Sequence, residues 1–159
     1  MYIHTNKDWI EFKCKNLDYK TGKEIGGQLI RTAIAKGNCV GLAHNQVSGD
    51  KRVFVAKVGK NNTWKIFINP KIVFYEGNVI DSVEGCMTFP KKQSKVKRYH
   101  KVELRHQVNE YDDYNAGFET DFFFGENAHI IQHEMDHLNG VHIFNKQGVK
   151  CNGKSNRCK

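Results

Sequence analysis

His133-Glu134-Met135-Asp136-His137 is the stretch whose residue types and spacing could do chemistry. On a helix, residues four apart share a face, so His133 and His137 can offer two imidazole nitrogens to one metal ion while Glu134 flanks them as a base. That arrangement suits hydrolysis, but a catalytic zinc-type site usually takes three protein ligands and keeps one position open for water. One common third ligand is an acid well downstream, and the residues after His137 contain neither Asp nor Glu. Another is the last His of H-E-x-x-H-x-x-G-x-x-H. Gly140 is in place for that pattern, but His142 falls one position early and Ile143 stands where the ligand belongs. A third ligand therefore has to come from upstream.

Two upstream stretches matter. Glu84-Gly85-Cys86-Met87-Thr88-Phe89-Pro90 reads as a turn between strands, and a thiolate there would complete a two-His, one-Cys site with an open fourth position. Taken alone, a single Cys is more often a small buried core residue. Cys39-Val40-Gly41-Leu42-Ala43-His44-Asn45-Gln46 is a run of small and apolar residues ending in an amide. Small side chains there allow another backbone to approach, as a bound peptide strand does, although an ordinary helix-to-strand turn has the same composition.

The rest of the chain must position these groups. Its 159 residues, 39% hydrophobic, suit one globular domain with one sizeable core, placed at residues 1–145 and followed by a basic tail over 146–159. Twenty-five Lys and Arg against 17 Asp and Glu give a net charge of +8, which favours anionic partners such as RNA but on its own describes only a solvated basic surface. No apolar run is long enough to span a membrane, and residues 1–8 lack the apolar core of a signal peptide, so the expectation is a cytoplasmic protein with no membrane partner. The five cysteines are odd in number and lack framework spacing, which argues against disulfides.

Along the chain, residues 1–20 read as an irregular segment. Thr21 with Glu24 forms a capping-box pattern ahead of an apolar stripe that stops at Gly37. Gly26 and Gly27 weaken that helix, so packing has to hold it. Residues 52–58 and 63–69 are β-rich around a Gly/Asn turn, residues 71–76 read as a further strand, and 77–90 as a turn-rich segment. Residues 95–108 alternate as a half-buried strand does, 111–115 read as a loop, and 118–124 as an aromatic return strand. The central motif lies on a helix from about Gly125 to Gly140.

With these residues on the page, the sequence resembles the peptide deformylase family. The resemblance rests on three motifs in the family's order: Gly41-Leu42-Ala43-His44-Asn45-Gln46 for G-x-G-x-A-A-x-Q, Glu84-Gly85-Cys86-Met87-Thr88 for E-G-C-L-S, and Gln132-His133-Glu134-Met135-Asp136-His137-Leu138 for Q-H-E-x-D-H-L. It implies an α+β fold, with antiparallel sheets around a central metal-binding helix. It implies a metallohydrolase that takes the formyl group from the N-terminal methionine of newly made polypeptides. Cys86, His133 and His137 would bind one divalent ion, Fe(II) in the cell with Zn(II), Ni(II) or Co(II) able to replace it. Glu134 would move the proton, and Gln46 with the backbone N–H of Met87 would stabilise the oxyanion. The substrate would lie along Val40, Gly41 and Leu42 and the loop of Glu84 and Gly85. Glu84, Asp136 and Arg98 could form an ion-pair network orienting the ligating rings, although Asp136 and Arg98 suit a solvated face equally well.

This sequence departs from the family pattern at several positions. Cys39 and His44 replace a Gly and an Ala of the first motif, Met87 a Leu and Thr88 a Ser. By motif position, Glu126, His129 and Ile130 fall where family enzymes line the methionine pocket with apolar residues, with Ser82 opposite. A carboxylate and an imidazole there would narrow or polarise the pocket. The tail lacks the usual C-terminal helix, an outline that resembles shortened forms encoded by some phages. The expected partners are N-formylmethionyl nascent peptides, with contact between the basic tail and the ribosome left open, and the expected state is a monomer. Two alternatives stay beside this reading: a peptidase of the H-E-x-x-H type, and a metal- or RNA-binding module without turnover.

Overall fold

Helix α1 (Tyr19–Lys36) begins where the Asp18 side chain accepts the Thr21 N–H at 2.8 Å. The capping role expected of Thr21 thus belongs to Asp18, whose carboxylate accepts an otherwise unpaired first-turn donor, and Thr21 lies inside the helix. Gly37, at φ 82°, ends α1 with its N–H bonded to the Ile34 carbonyl. A methyl group at Gly26 would run into the Ile66 side chain, and one at Gly22 into Ile68. The glycines that weaken α1 on propensity are therefore what let it sit down on the sheet. This computed structural model describes residues 1–47, 49–109 and 117–146; the expected loop at 111–115 and nearly all of the basic tail lie outside them.

Five antiparallel strands follow one another across a single sheet in chain order: β1 (Gly41–Ala43), β2 (Val53–Val58), β3 (Thr63–Cys86), β4 (Phe89–Gln107) and β5 (Phe118–Phe124). The expected turn-rich segment at 77–90 is instead one end of a long β3–β4 ribbon that closes with Cys86 opposite Phe89. Gly77, at φ 85°, lies at one of the ribbon's register shifts, between Glu76 and Val79. Its polar, glycine-containing composition reads locally as a turn, and pairing with distant residues 93–101 overrides that preference.

The sheet is covered on both faces, which is why β2 reads as an almost unbroken apolar run. Phe54, Ala56 and Val58 face one cluster with Phe67, Leu104, Ile131, Met135 and Leu138, beneath helix α2 (Gly125–Leu138). Val53 and Val55 face the other, with Leu29, Ala33 and Leu42, beneath α1. The N-terminal segment crosses the end of α2, where Cys14 N–H donates to Leu138 O at 2.9 Å, and His4 N–H donates to Gln46 O at 2.8 Å. The fold is α+β, with one helix held in the curve of an antiparallel meander.

Candidate active site and metal centre

Helix α2 starts at Gly125 (φ 56°) and ends at Leu138, with Gly140 (φ 76°) in the turn just beyond. Ala128, Ile131, Met135 and Leu138 turn toward the sheet. Gln132 adds a rung to β4, its amide accepting the Tyr99 N–H at 3.0 Å and donating to Tyr99 O at 2.8 Å. Fixed in this way, α2 presents His133 and His137 to the closed end of the β3–β4 ribbon, where Cys86 sits.

There Cys86, His133 and His137 come together, with one ligand atom from each within 4.8 Å of the others. Cys86 Sγ lies 3.3 Å from His137 Nε2, and the two Nε2 atoms are 3.1 Å apart. His133 Nδ1 donates to Glu84 Oε2 at 2.9 Å, which leaves its Nε2 lone pair turned inward. Three donor atoms this close together form a group that could hold a metal ion. Burial lowers the His133 pKa, but hydrogen bonds to Cys86 and Glu84 outweigh that and push it up to about 10. Burial, with His133 beside it, keeps His137 neutral. The donor set, two imidazoles and one cysteine sulfur with no fourth protein donor in the group among the described residues, fits a first-row divalent ion with an open position.

Glu134 lies next to this group and is 4% exposed, with Oε2 lacking a hydrogen-bond partner among the described residues. Burial pushes its carboxyl up to about 7, against the pull of His133. Gly41 makes room for it, since a Cβ there would collide with the Glu134 carboxylate. Gln46 is 1% exposed and held at both ends: Oε1 accepts the Ala43 N–H at 2.9 Å, and Nε2 donates to Thr88 Oγ1 at 3.2 Å and to Cys86 Sγ at 3.5 Å.

Behind His133 lies a network of charges. Arg98, 0% exposed, donates to Glu84 through Nε and Nη2, both at 2.7 Å, and to Asp136 through Nη1 at 2.5 Å. Desolvation would raise the Glu84 pKa, but the Arg98 and His133 contacts outweigh it and hold the carboxyl well below the ordinary range. Asp136 also accepts from Lys146 Nζ at 2.5 Å.

A cavity of about 1070 Å³ opens over the group. Val40, Gly41, Glu84 and Gly85 line it, as do Met87 and Ser82, and Glu126, His129 and Ile130 form its α2 side. Leu42 is the exception among the expected substrate residues. Its side chain is fully buried in the α1-side core, because β1 alternates and Leu42 takes the inward position. Only its backbone remains for strand pairing. Sequence reasoning missed Thr88, the buried anchor of Gln46, and Asn45, whose amide donates to Ile10 O at 3.2 Å and His137 O at 2.6 Å. Both stand inside quoted motifs, so their positions were the available signal. Lys91 and Lys92 at the cavity rim gave none.

A cysteine sulfur, two imidazoles four apart on a helix, and a buried carboxyl group beside them form a group that suits a metallohydrolase-type centre. Comparison with known proteins narrows this. The profile of the polypeptide deformylase family matches residues 5–151. Peptide deformylase 2 of Nostoc sp. is 32% identical over 141 residues, covering 84% of this chain and 73% of that protein. The crystal structure of peptide deformylase from Thermotoga maritima superposes with a TM-score of 0.78 at 28% identity, over 91% of this chain and 95% of that one. A probable peptide deformylase from a synechococcus phage gives 0.77 at 25%, over 91% and 97%. The chain belongs to the polypeptide deformylase family. It is an enzyme that removes the formyl group from N-terminal formyl-methionine.

Proposed function

We propose that Cys86, His133 and His137 hold the catalytic metal, that Glu134 carries the proton, and that Gln46 and the Met87 N–H receive the oxyanion. The observation that carries this is the convergence of the Cys86, His133 and His137 donor atoms beside a buried carboxylate. A divalent ion in this donor set would act as a Lewis acid and bring a water's pKa toward neutrality. Glu134, with its pKa pushed up to about 7, can accept a proton from the attacking water and return it to the departing amine near neutral pH. The balance is one formamide C–N bond broken and one C–O bond formed, leaving formate and a free α-amine. Gln46 Nε2 would turn part of its donation from Thr88 and Cys86 to the developing oxyanion. Glu84 keeps the proton on His133 Nδ1, so that Nε2 faces the ion.

Fe(II) is the native ion in this reading, and a thiolate–imidazole set also takes Zn(II), Ni(II) or Co(II). Residues 1–145 act as one domain, supported by the continuous sheet covered on both faces. Among the described residues no helix is long and apolar enough to cross a membrane. Glu126 and His129 on the cavity wall polarise the pocket for the first side chain and alter its preference for methionine over other side chains; relative rates on formylated Met, Leu and Lys peptides equal to those of an ordinary family enzyme would refute this. The net charge of +8 supports contact of the basic tail with ribosomal RNA, expected as salt-steep ribosome binding that is lost on removing residues 147–159. The decisive assay uses a formyl-Met tripeptide with anaerobically loaded Fe(II), for wild type and Glu134→Ala. Wild-type protein that binds metal and leaves the formyl group intact would overturn the proposal.

A further inference from the structure

The turn after α2 reaches both elements that carry the metal donors. Ile143 packs in a small cluster with Cys86 and Val96, and Phe89, paired across from Cys86, has its ring tilted against His142 at 4.9 Å and edge-to-face with Phe144 at 5.0 Å. The turn is itself fixed. His142 is buried and its Nε2 donates to Glu11 Oε1 at 2.9 Å, while its carbonyl accepts the Lys146 N–H at 3.0 Å. Lys146, which the sequence places at the start of a solvated tail, is 14% exposed and donates to Asp136.

Charge counting shows what that contact does. Arg98 faces two carboxylates, Glu84 and Asp136, and those three groups sum to −1. Lys146 supplies the missing positive charge, so the sequence Lys146, Asp136, Arg98, Glu84, His133 is neutral up to the imidazole. With only 11% and 20% of the Glu84 and Asp136 side chains exposed, an uncompensated carboxylate would draw the shared Arg98 toward itself. With Lys146 on Asp136, Arg98 can keep both of its parallel bonds on Glu84, and Glu84 stays aimed at His133 Nδ1.

We infer that Lys146 is a positioning residue of the metal centre, acting through Asp136, Arg98 and Glu84 to hold His133 in its donor geometry. This rests on the ligand set proposed above. Removing the Lys146 charge leaves Asp136 to compete for Arg98, which loosens Glu84 and frees the His133 ring. A partner that hydrogen-bonds a metal-bound His typically changes metal affinity by about 10- to 100-fold when lost.

The test uses the full-length chain loaded with Co(II). Lys146→Met is expected to release metal to a chromogenic chelator about tenfold faster than wild type and to shift the Co(II) absorption bands, while Lys146→Arg restores both. In an Asp136→Asn background, Lys146→Met is expected to add nothing, since its path is already cut. Where Lys146→Met does not fold, Lys146→Gln, which keeps a donor for Asp136 without the charge, carries the same readings. Wild-type release and spectrum in the uncharged variant, or an equal acceleration with and without Asp136, would overturn the inference while leaving the ligand set intact. A wild-type chain that binds no Co(II), or a Cys86→Ser chain that binds it as wild type does, would overturn the ligand set and the inference with it.

Discussion

Glu134 is the residue whose surroundings most directly set chemistry. Burial raises its carboxyl to about 7, where it can hold and release a proton in the cell's range, while Gly41 and the donor group fix its place. Glu134→Gln keeps the shape and removes the proposed proton carrier, so kcat is expected to fall by about 10²- to 10⁴-fold with metal content unchanged, measured by formate release and metal analysis. His44 shows how a motif departure acts. It stands where the family has an Ala, its Nδ1 accepts the Lys51 N–H at 3.2 Å, and its burial lowers its pKa below 6.5. Because the folded value is depressed, the unfolded chain binds the extra proton first. The stability His44 allows is therefore complete above about pH 6.5 and is lost as pH falls toward its folded value. Urea unfolding of wild type at pH 7.5 and 5.5 is expected to show this loss, and His44→Ala to remove that part of the difference.

At the scale of elements, two glycines do different jobs. Gly26 lets α1 close on Ile66 at the face remote from the donor group, and Gly41 lets β1 close on Glu134 of α2. A methyl at either site overpacks a filled space, typically at a cost of about 1–3 kcal/mol. Gly26→Ala is therefore expected to lower Tm with kcat per folded molecule unchanged. Gly41→Ala is expected to lower Tm and also kcat, because the group it displaces is the proposed proton carrier. Calorimetry beside initial rates separates the two. The β3–β4 ribbon is the other element that decides the site. It carries Cys86 at its closed end, Glu84 and Arg98 as facing rows, and the rim lysines, so one hairpin builds a donor, its support and a cavity wall.

For the molecule as a whole, acid sensitivity follows from the buried network. The Glu84 pKa is depressed by Arg98 and His133, so its contribution to stability is present above the ordinary glutamate range, about 4.5, and disappears as pH falls below it toward the folded value. Wild type is expected to lose stability through that acid window, and Glu84→Gln to start less stable at neutral pH and to change less there. Arg98→Ala leaves Glu84 and Asp136, 11% and 20% exposed, without the cation they share and with only His133 and Lys146 beside them, so a loss of up to about 3–5 kcal/mol and faster metal release are expected. Melting curves of apo and loaded protein read both, since a ligand bound only by the native state raises Tm.

The sequence alone determined the chemistry and the general architecture. Two His four apart beside a Glu, a Cys in its turn motif and a Gln after a small-residue run are local patterns, legible because each depends on neighbours in the chain. The alternation of strands and the stripe of α1 are legible for the same reason. Only the tertiary structure decided that residues 77–90 pair as a ribbon, that Asp18 caps α1, that Leu42 turns inward, that Thr88 anchors Gln46, and that Arg98 is buried between two carboxylates. It also brought Lys146 from the start of a basic tail to Asp136. These outcomes rest on contacts between residues far apart in sequence, where burial and charge compensation override what each residue prefers among its neighbours.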